Sequence, residues 1–161
     1  MNLFTKSLAV VSAILLLAAC DSMSGSSSGT DGSGGMSGGS ARPGSQEDLA
    51  QNVGDRVFFD YDSAALTAEA QQTLERQAAW LKQYGSMNVT VEGHCDERGT
   101  REYNLALGER RAASVKKYLV GLGIPSSRIS TISYGKERPA VIGSDESAWG
   151  QNRRGVTVLS N

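Results

Sequence analysis

The stretch from Val91 to Ala112 reads Val-Glu-Gly-His-Cys-Asp-Glu-Arg-Gly-Thr-Arg-Glu-Tyr-Asn-Leu-Ala-Leu-Gly-Glu-Arg-Arg-Ala. It holds the only histidine of the chain, one of its two cysteines and a dense run of mixed charges. A histidine beside a cysteine suggests a nucleophile with its base, or two ligands of one metal ion. Strand geometry argues against both. If a strand continues this far, Val89, Val91, Gly93 and Cys95 share one face and Thr90, Glu92, His94 and Asp96 share the other. The two side chains then point apart. Cys95 falls on the apolar face and reads as a buried, inert thiol. His94 has only carboxylates such as Glu92 and Asp96 as co-ligands, without the usual His/Cys cluster, so it reads as a strand-end residue that hydrogen-bonds locally. Neither a metal nor another cofactor is expected.

Charge placement is more informative. Leu107, Arg111, Val115, Tyr118 and Leu122 recur at i, i+4, i+8, i+11 and i+15, the spacing of one helical face. Arg111 therefore lies in line with the core stripe, and Arg110 is turned about 100° away. A guanidinium removed from water needs an anionic partner. Asp96 is the nearest candidate in sequence order. Two readings stay open from the residues alone. Asp96 and Arg111 form a structural ion pair, or they share a ligand that carries both charges, Arg111 holding its carboxylate and Asp96 its ammonium.

The elements that must position these residues follow from periodicity and caps. Val57 to Phe59 reads as a short strand, followed by a turn over Asp60 to Ser63. Thr67 is placed to cap a helix that buries Ala70, Leu74, Ala78 and Leu81 and stops near Gly85. Asn88 to Gly93 alternates as a second strand, and a long helix over 101–120 ends at Gly121 and Gly123 with Pro125 beyond. Ile129 to Tyr134 and Val156 to Ser160 read as two further strands. Between them Ser144 is placed to cap a short helix that carries Trp149 and ends at Arg153 and Arg154. The expected fold class is α/β in the α+β sense: a mixed four-stranded sheet with two long helices on one face, ordered β-α-β-α-β with a short helix and a final strand.

The first 45 residues have a different character. Lys6 precedes an apolar run from Leu8 to Ala19 that is too short to span a bilayer, which takes about 20 residues, but has the length of a signal-peptide core. Leu17-Ala18-Ala19-Cys20 looks like a lipobox, so residues 1–19 are expected to be a cleaved signal peptide and Cys20 the lipidation site. With Cys20 acylated, no disulfide is available within one chain. Residues 21–45 are rich in Ser and Gly and read as a flexible tether with a root-mean-square span of about 25–30 Å. The folded domain is expected over 46–161. The formal net charge is −1, which gives no reason to expect a nucleic-acid partner.

Gly93-His-Cys-Asp-Glu-Arg-Gly-Thr100 followed by Tyr103-Asn-Leu-Ala-Leu-Gly-Glu-Arg-Arg-Ala112 resembles the signature of OmpA-like peptidoglycan-binding domains. Phe59-Asp60, Ser133-Tyr-Gly-Lys-Glu-Arg-Pro139 and Asn152-Arg-Arg154 extend the resemblance from about Val57 to Leu159. The signal peptide, tether and single domain are similar to the peptidoglycan-associated lipoproteins within that family. The resemblance implies a non-catalytic domain that binds the diaminopimelate of peptidoglycan stem peptides. It also implies that Asp96 is the ligand-binding aspartate and Arg111 the receptor of the ligand carboxylate. Phe59 and Asp60 would contribute backbone groups, with Arg98, Thr100 and Leu107 lining the site. Implied partners are peptidoglycan, the periplasmic protein TolB and other Tol proteins, and a membrane reached through acyl chains on Cys20. The implied location is the outer membrane with the domain facing the periplasm, in a Tol-Pal system serving envelope integrity and cell division. Asp21 leaves inner-membrane retention open, because it resembles a retention signal of enteric bacteria. Two rival readings are an interaction module that serves only a Tol-type partner and a periplasmic enzyme acting on peptidoglycan. For the enzyme, a hydrolase would need two poised acids or a metal, neither of which this loop offers.

Overall fold

A computed structural model describes residues 41–160. The signal peptide, Cys20 and the tether through residue 40 lie outside them. The described elements are α1 (Gln46–Asp48, continued by a π-helical turn Leu49–Val53), β1 (Arg56–Phe58), α2 (Ala68–Gln83), β2 (Asn88–His94), α3 (Arg101–Gly121), β3 (Ile129–Gly135), α4 (Glu146–Asn152) and β4 (Arg154–Ser160). The sheet order is β1-β4-β2-β3. β4 runs antiparallel to both β1 and β2, and β2 pairs in parallel with β3. This is the mixed four-stranded sheet expected from the sequence, with α2 and α3 covering one face.

Local chemistry explains the boundaries. Thr67 accepts a hydrogen bond from the Ala70 amide at 3.1 Å and starts α2, as the sequence predicts. Thr100 does the same for α3, accepting from the Tyr103 amide at 3.2 Å. The cap of α4 is Asp145, which accepts from the Ala148 amide at 2.9 Å, and not Ser144; the two are neighbours and both residue types cap well. β4 begins at Arg154, two residues ahead of the expected Val156, because Arg154 pairs with Phe58 across β1.

The sequence did not foresee α1. Ser45 caps it by accepting from the Asp48 amide at 3.2 Å. Buried Asp48 in turn accepts from Asn52, Gly44 and Trp80 at 2.7, 2.8 and 2.9 Å. These bonds, Asn52 first, hold its carboxyl below the usual range. Gln46 is clipped onto β4, donating to the Thr157 carbonyl and accepting from the Leu159 amide. The folded region therefore includes Gly44 and Ser45, both buried, and the Ser45 amide reaches back to the Arg42 carbonyl. The fold thus begins by Gly44, inside the stretch through residue 45 expected to be tether.

The core joins Leu49, Leu74 and Leu81 to Val89, Val91, Val115, Leu119, Ile124 and Ile129. Two glycines set how closely α3 sits on the sheet. A Cβ on Gly93 would lie 1.8 Å from the Gly108 carbonyl oxygen, and one on Gly108 would lie 2.3 Å from Ser133 Oγ. With no side chain at either position, the helix rests directly on β2. That contact carries Arg111, one turn past Gly108, to the end of β2.

Candidate ligand-binding site

β2 ends at His94, and its pairing with β3 shifts register there: Gly93 lies opposite Ser133 but His94 opposite Gly135. The chain turns after this point. Asp96 and Cys95 both line one cavity; the expectation that they occupy opposite faces applies only while the strand continues, and β2 ends at His94. The cavity encloses about 230 Å³ and is lined by Asp96, Arg98, Leu107 and Arg111 together with Tyr61, Asp62, Cys95, Gly99, Tyr103 and Asn104.

Arg111 is 1% exposed. Its Nε donates to the Ser63 carbonyl at 2.8 Å, Nη1 to the His94 carbonyl at 2.8 Å and Nη2 to the Asp60 carbonyl at 3.0 Å. The Phe59 ring lies under the guanidinium at 5.2 Å. No carboxylate of the described residues comes within ion-pair distance of it. The Asp96–Arg111 ion pair, one of the two readings from sequence, is therefore absent. Burial pulls the guanidinium below its ordinary pKa, against the opposing influence of Cys95 and Asp96, yet an arginine stays charged in proteins. A guanidinium carries five N–H donors. Three are taken by main-chain carbonyls, one on each nitrogen, which leaves one N–H on Nη1 and one on Nη2. Donors of this kind suit a carboxylate, and the Cys95 thiol is the nearest competing side chain.

Asp96 is 5% exposed and is held chiefly by Arg98. Arg98 donates to it from the backbone amide at 3.1 Å, from Nε at 3.3 Å and from Nη2 at 2.5 Å. Arg153 Nη1 lies 3.5 Å from Oδ2. Burial alone would raise the Asp96 pKa, but the Arg98 bonds and charge outweigh it and hold the carboxyl below its usual range. The partner that the sequence assigned to Arg111 thus belongs to Arg98 and Arg153.

The supporting loop is braced from three sides. Buried Asn104 donates to the Arg98 and Thr100 carbonyls at 2.7 and 2.9 Å. Lys136 donates to the Glu97 and Gly99 carbonyls. Gly99 adopts φ +88°, a left-handed conformation that favours glycine. Tyr103 donates to Asp62 from across the rim. Thr100 acts here as the cap of α3. Asp60 contributes its carbonyl to Arg111. The Phe59 carbonyl accepts from Arg153 Nε at 3.0 Å. Phe59 and Asp60 therefore act through backbone groups that hold the two arginines.

Cys95 is buried, its Sγ donating to the Asn104 carbonyl at 3.3 Å, and burial raises its pKa. Such a thiol is a poor nucleophile. His94 is 2% exposed, with Nε2 3.4 Å from Glu92 and its ring against Tyr134 at 5.5 Å. Burial first, then the Arg154 and Arg138 charges, push its pKa down to about 4, so it is neutral near pH 7. Among the described residues no His, Cys, Asp and Glu cluster could hold a metal ion. The cavity thus gathers buried charges, and its one thiol is held in the unreactive form.

Asn104 was within reach of the sequence, since it precedes Leu107 on the buried face of α3. Tyr61, Asp62 and Trp149 reach the site only through the fold, with no local pattern to mark them; Arg153 lies in the Asn152-Arg-Arg154 motif of the resemblance, but nothing there assigns it to the site.

Residues 58–153 match the OmpA family. The chain belongs to the OmpA family. Curated relatives extend beyond that segment. A peptidoglycan-associated lipoprotein of Agrobacterium fabrum is 63% identical over 121 residues, covering 75% of this chain and 68% of the relative. One of Haemophilus influenzae is 45% identical over 156 residues, covering 97% of this chain and 98% of the relative. Among solved structures, the peptidoglycan-associated lipoprotein of Burkholderia pseudomallei superposes with a TM-score of 0.64 at 40% identity, covering 66% of this chain and 90% of that one. The matched segment of this OmpA family member contains both Asp96 and Arg111.

Proposed function

We propose that this OmpA-family chain is a lipid-anchored, non-catalytic tether whose domain grips the diaminopimelate of peptidoglycan stem peptides. The observation that carries the proposal is Arg111: a fully buried cation beside a cavity, with no carboxylate partner among the described residues and an N–H on each Nη not taken by a main-chain carbonyl. Leaving such a charge uncompensated is costly, and a ligand carboxylate compensates it. Asp96, across the same cavity, offers the complementary anion for an ammonium on the same carbon. An amino-acid centre at the end of a side chain carries both groups, and diaminopimelate supplies one in peptidoglycan.

The names of the relatives support the same reading. Signal peptide, acylated Cys20 and a Ser/Gly tether would place the domain in the periplasm, with acyl chains in the outer membrane. Two or more chains give a stable anchor where one is marginal. Many such molecules in one membrane bind the wall multivalently, so each grip can be weak. TolB and the Tol proteins are the proposed protein partners, with a role in envelope integrity and cell division.

Co-sedimentation of the full-length lipidated chain, in detergent micelles, with diaminopimelate-type peptidoglycan tests this. The parent should pellet with the wall, free diaminopimelate should compete, and folded Asp96→Asn and Arg111→Leu variants should stay in the supernatant. A folded parent that remains soluble, or variants that pellet equally, would favour the module that serves only a protein partner.

A further inference from the structure

We infer that Arg98 is a displaceable latch that occupies the ammonium position of the site until a ligand exchanges for it. The inference rests on the proposed ligand site and concerns how that site opens. A carboxylate presents about four lone-pair positions. On Asp96 three are engaged, all by Arg98: Oδ1 by its amide and Nε, and Oδ2 by its Nη2. Buried Arg153 Nη1 lies 3.5 Å from Oδ2 without hydrogen-bonding it. An incoming ammonium that is to make more than one bond to Asp96 must therefore displace a guanidinium.

The two arginines are held very differently. Arg153 is buried, donates from Nε to the Phe59 carbonyl at 3.0 Å and pairs with Glu146 through Nη2 at 2.5 Å. Moving it would disturb the joint between α4 and the segment just after β1 that carries Phe59. The Arg98 side chain is 29% exposed, and all its side-chain hydrogen bonds in the described residues go to Asp96. Otherwise it is held by two ring faces, with Cζ 4.1 Å from the Tyr61 centroid and 4.0 Å from the Trp149 centroid. Tyr61 is exposed. Trp149 is steadied by its Nε1 donating to Glu97 at 3.1 Å. Stacking of a cation between aromatic faces is favourable but unspecific in direction, so the guanidinium can withdraw along the ring planes toward solvent. The exchange is cation for cation: the ammonium takes the Asp96 acceptors that Arg98 Nε and Nη2 release. A consequence is selectivity. A ligand that brings only a carboxylate can reach Arg111 but cannot take the place of Arg98.

Nitrogen-15 spectra of arginine Nε–Hε groups on the full-length lipidated chain in micelles test the latch, with Arg98→Lys assigning the Arg98 signal. In the free protein that signal should be shifted by the two flanking rings. Saturating diaminopimelate should move it to the position of a solvated arginine and also move the Arg111 signal, while pimelate, a dicarboxylate without ammonium, should leave the Arg98 signal in place. If diaminopimelate moves the Arg111 signal and the Arg98 signal stays, the latch is wrong and the ligand site stands. If pimelate releases Arg98 as diaminopimelate does, exchange of cations is wrong. If diaminopimelate moves neither signal, the ligand site and the latch fall together.

Discussion

The two ends of β2 solve opposite problems. At the Asn88 end the strand enters an apolar core, where Val89 and Val91 meet Leu49, Leu81, Leu119 and Ile129, and the α1 turns close the edge. At the His94 end, only a few residues on, a histidine, an aspartate and three arginines, Arg111, Arg153 and Arg154, are all buried. The first end is held by removing apolar surface from water, worth about 25 cal/mol per Å². The second is held by main-chain carbonyls aimed at guanidinium groups. The difference shows how one small domain can be stable and still keep a charged site nearly dry. The apolar core lies at one pole, and the other pole carries the buried charges to which the proposal assigns a ligand.

The strongest break of this division is expected where the poles meet. Gly93→Ala would put a methyl group 1.8 Å from the Gly108 carbonyl, so helix and strand must part; a loss of more than about 4 kcal/mol in urea denaturation is expected, and ligand binding goes with it. Next comes Leu81→Ala at the apolar pole. Its cavity should cost about 2–5 kcal/mol, while calorimetry on the folded fraction finds diaminopimelate affinity unchanged. An affinity loss there would mean that the poles are coupled.

His94 sharpens the comparison through pH. Its folded pKa, about 4, lies below its ordinary 6.5, so the unfolded chain takes the proton first as pH falls. The contribution of neutral His94 is complete above pH 6.5 and is lost between 6.5 and about 4, by up to about 3 kcal/mol. Urea midpoints at pH 7 and pH 4.5 should show this loss in the parent, and His94→Gln should flatten it. The smallest effect belongs to a cap remote from the site. Thr67→Ala removes the bond to the Ala70 amide and should lower the thermal midpoint by an amount equivalent to about 1 kcal/mol.

Much of the fold was legible because α2, α3 and the inner strands follow simple periods. Ala70, Leu74, Ala78 and Leu81 mark one helix face, and Val89 and Val91 mark one strand face. α1 was not legible, since Leu49 and Val53 are the only large apolar residues from Gln46 to Val53, too few to mark a period, and the segment is fixed by Asp48 bonding to Trp80 and Gln46 bonding to β4. The site was half legible. Helical spacing put Arg111 in the core and so exposed its need for compensation. Spacing could not show that carbonyls of Asp60, Ser63 and His94 meet that need in part, because two of them come from a turn that the fold brings over. Strand parity does not reach Asp96 for a related reason: the β2–β3 register shifts between Gly93 and His94 and β2 ends at His94, and no residue type announces it.

The central claim is that Arg111 and Asp96 together receive a carboxylate and an ammonium. Varying the ligand tests it without disturbing the protein. Calorimetric titration of the full-length lipidated chain with diaminopimelate and, separately, with pimelate should give binding for the first and affinity at least about tenfold weaker for the second, as expected when a charge-assisted bond is lost. Equal affinities, or no binding of diaminopimelate by the folded protein, would contradict the account.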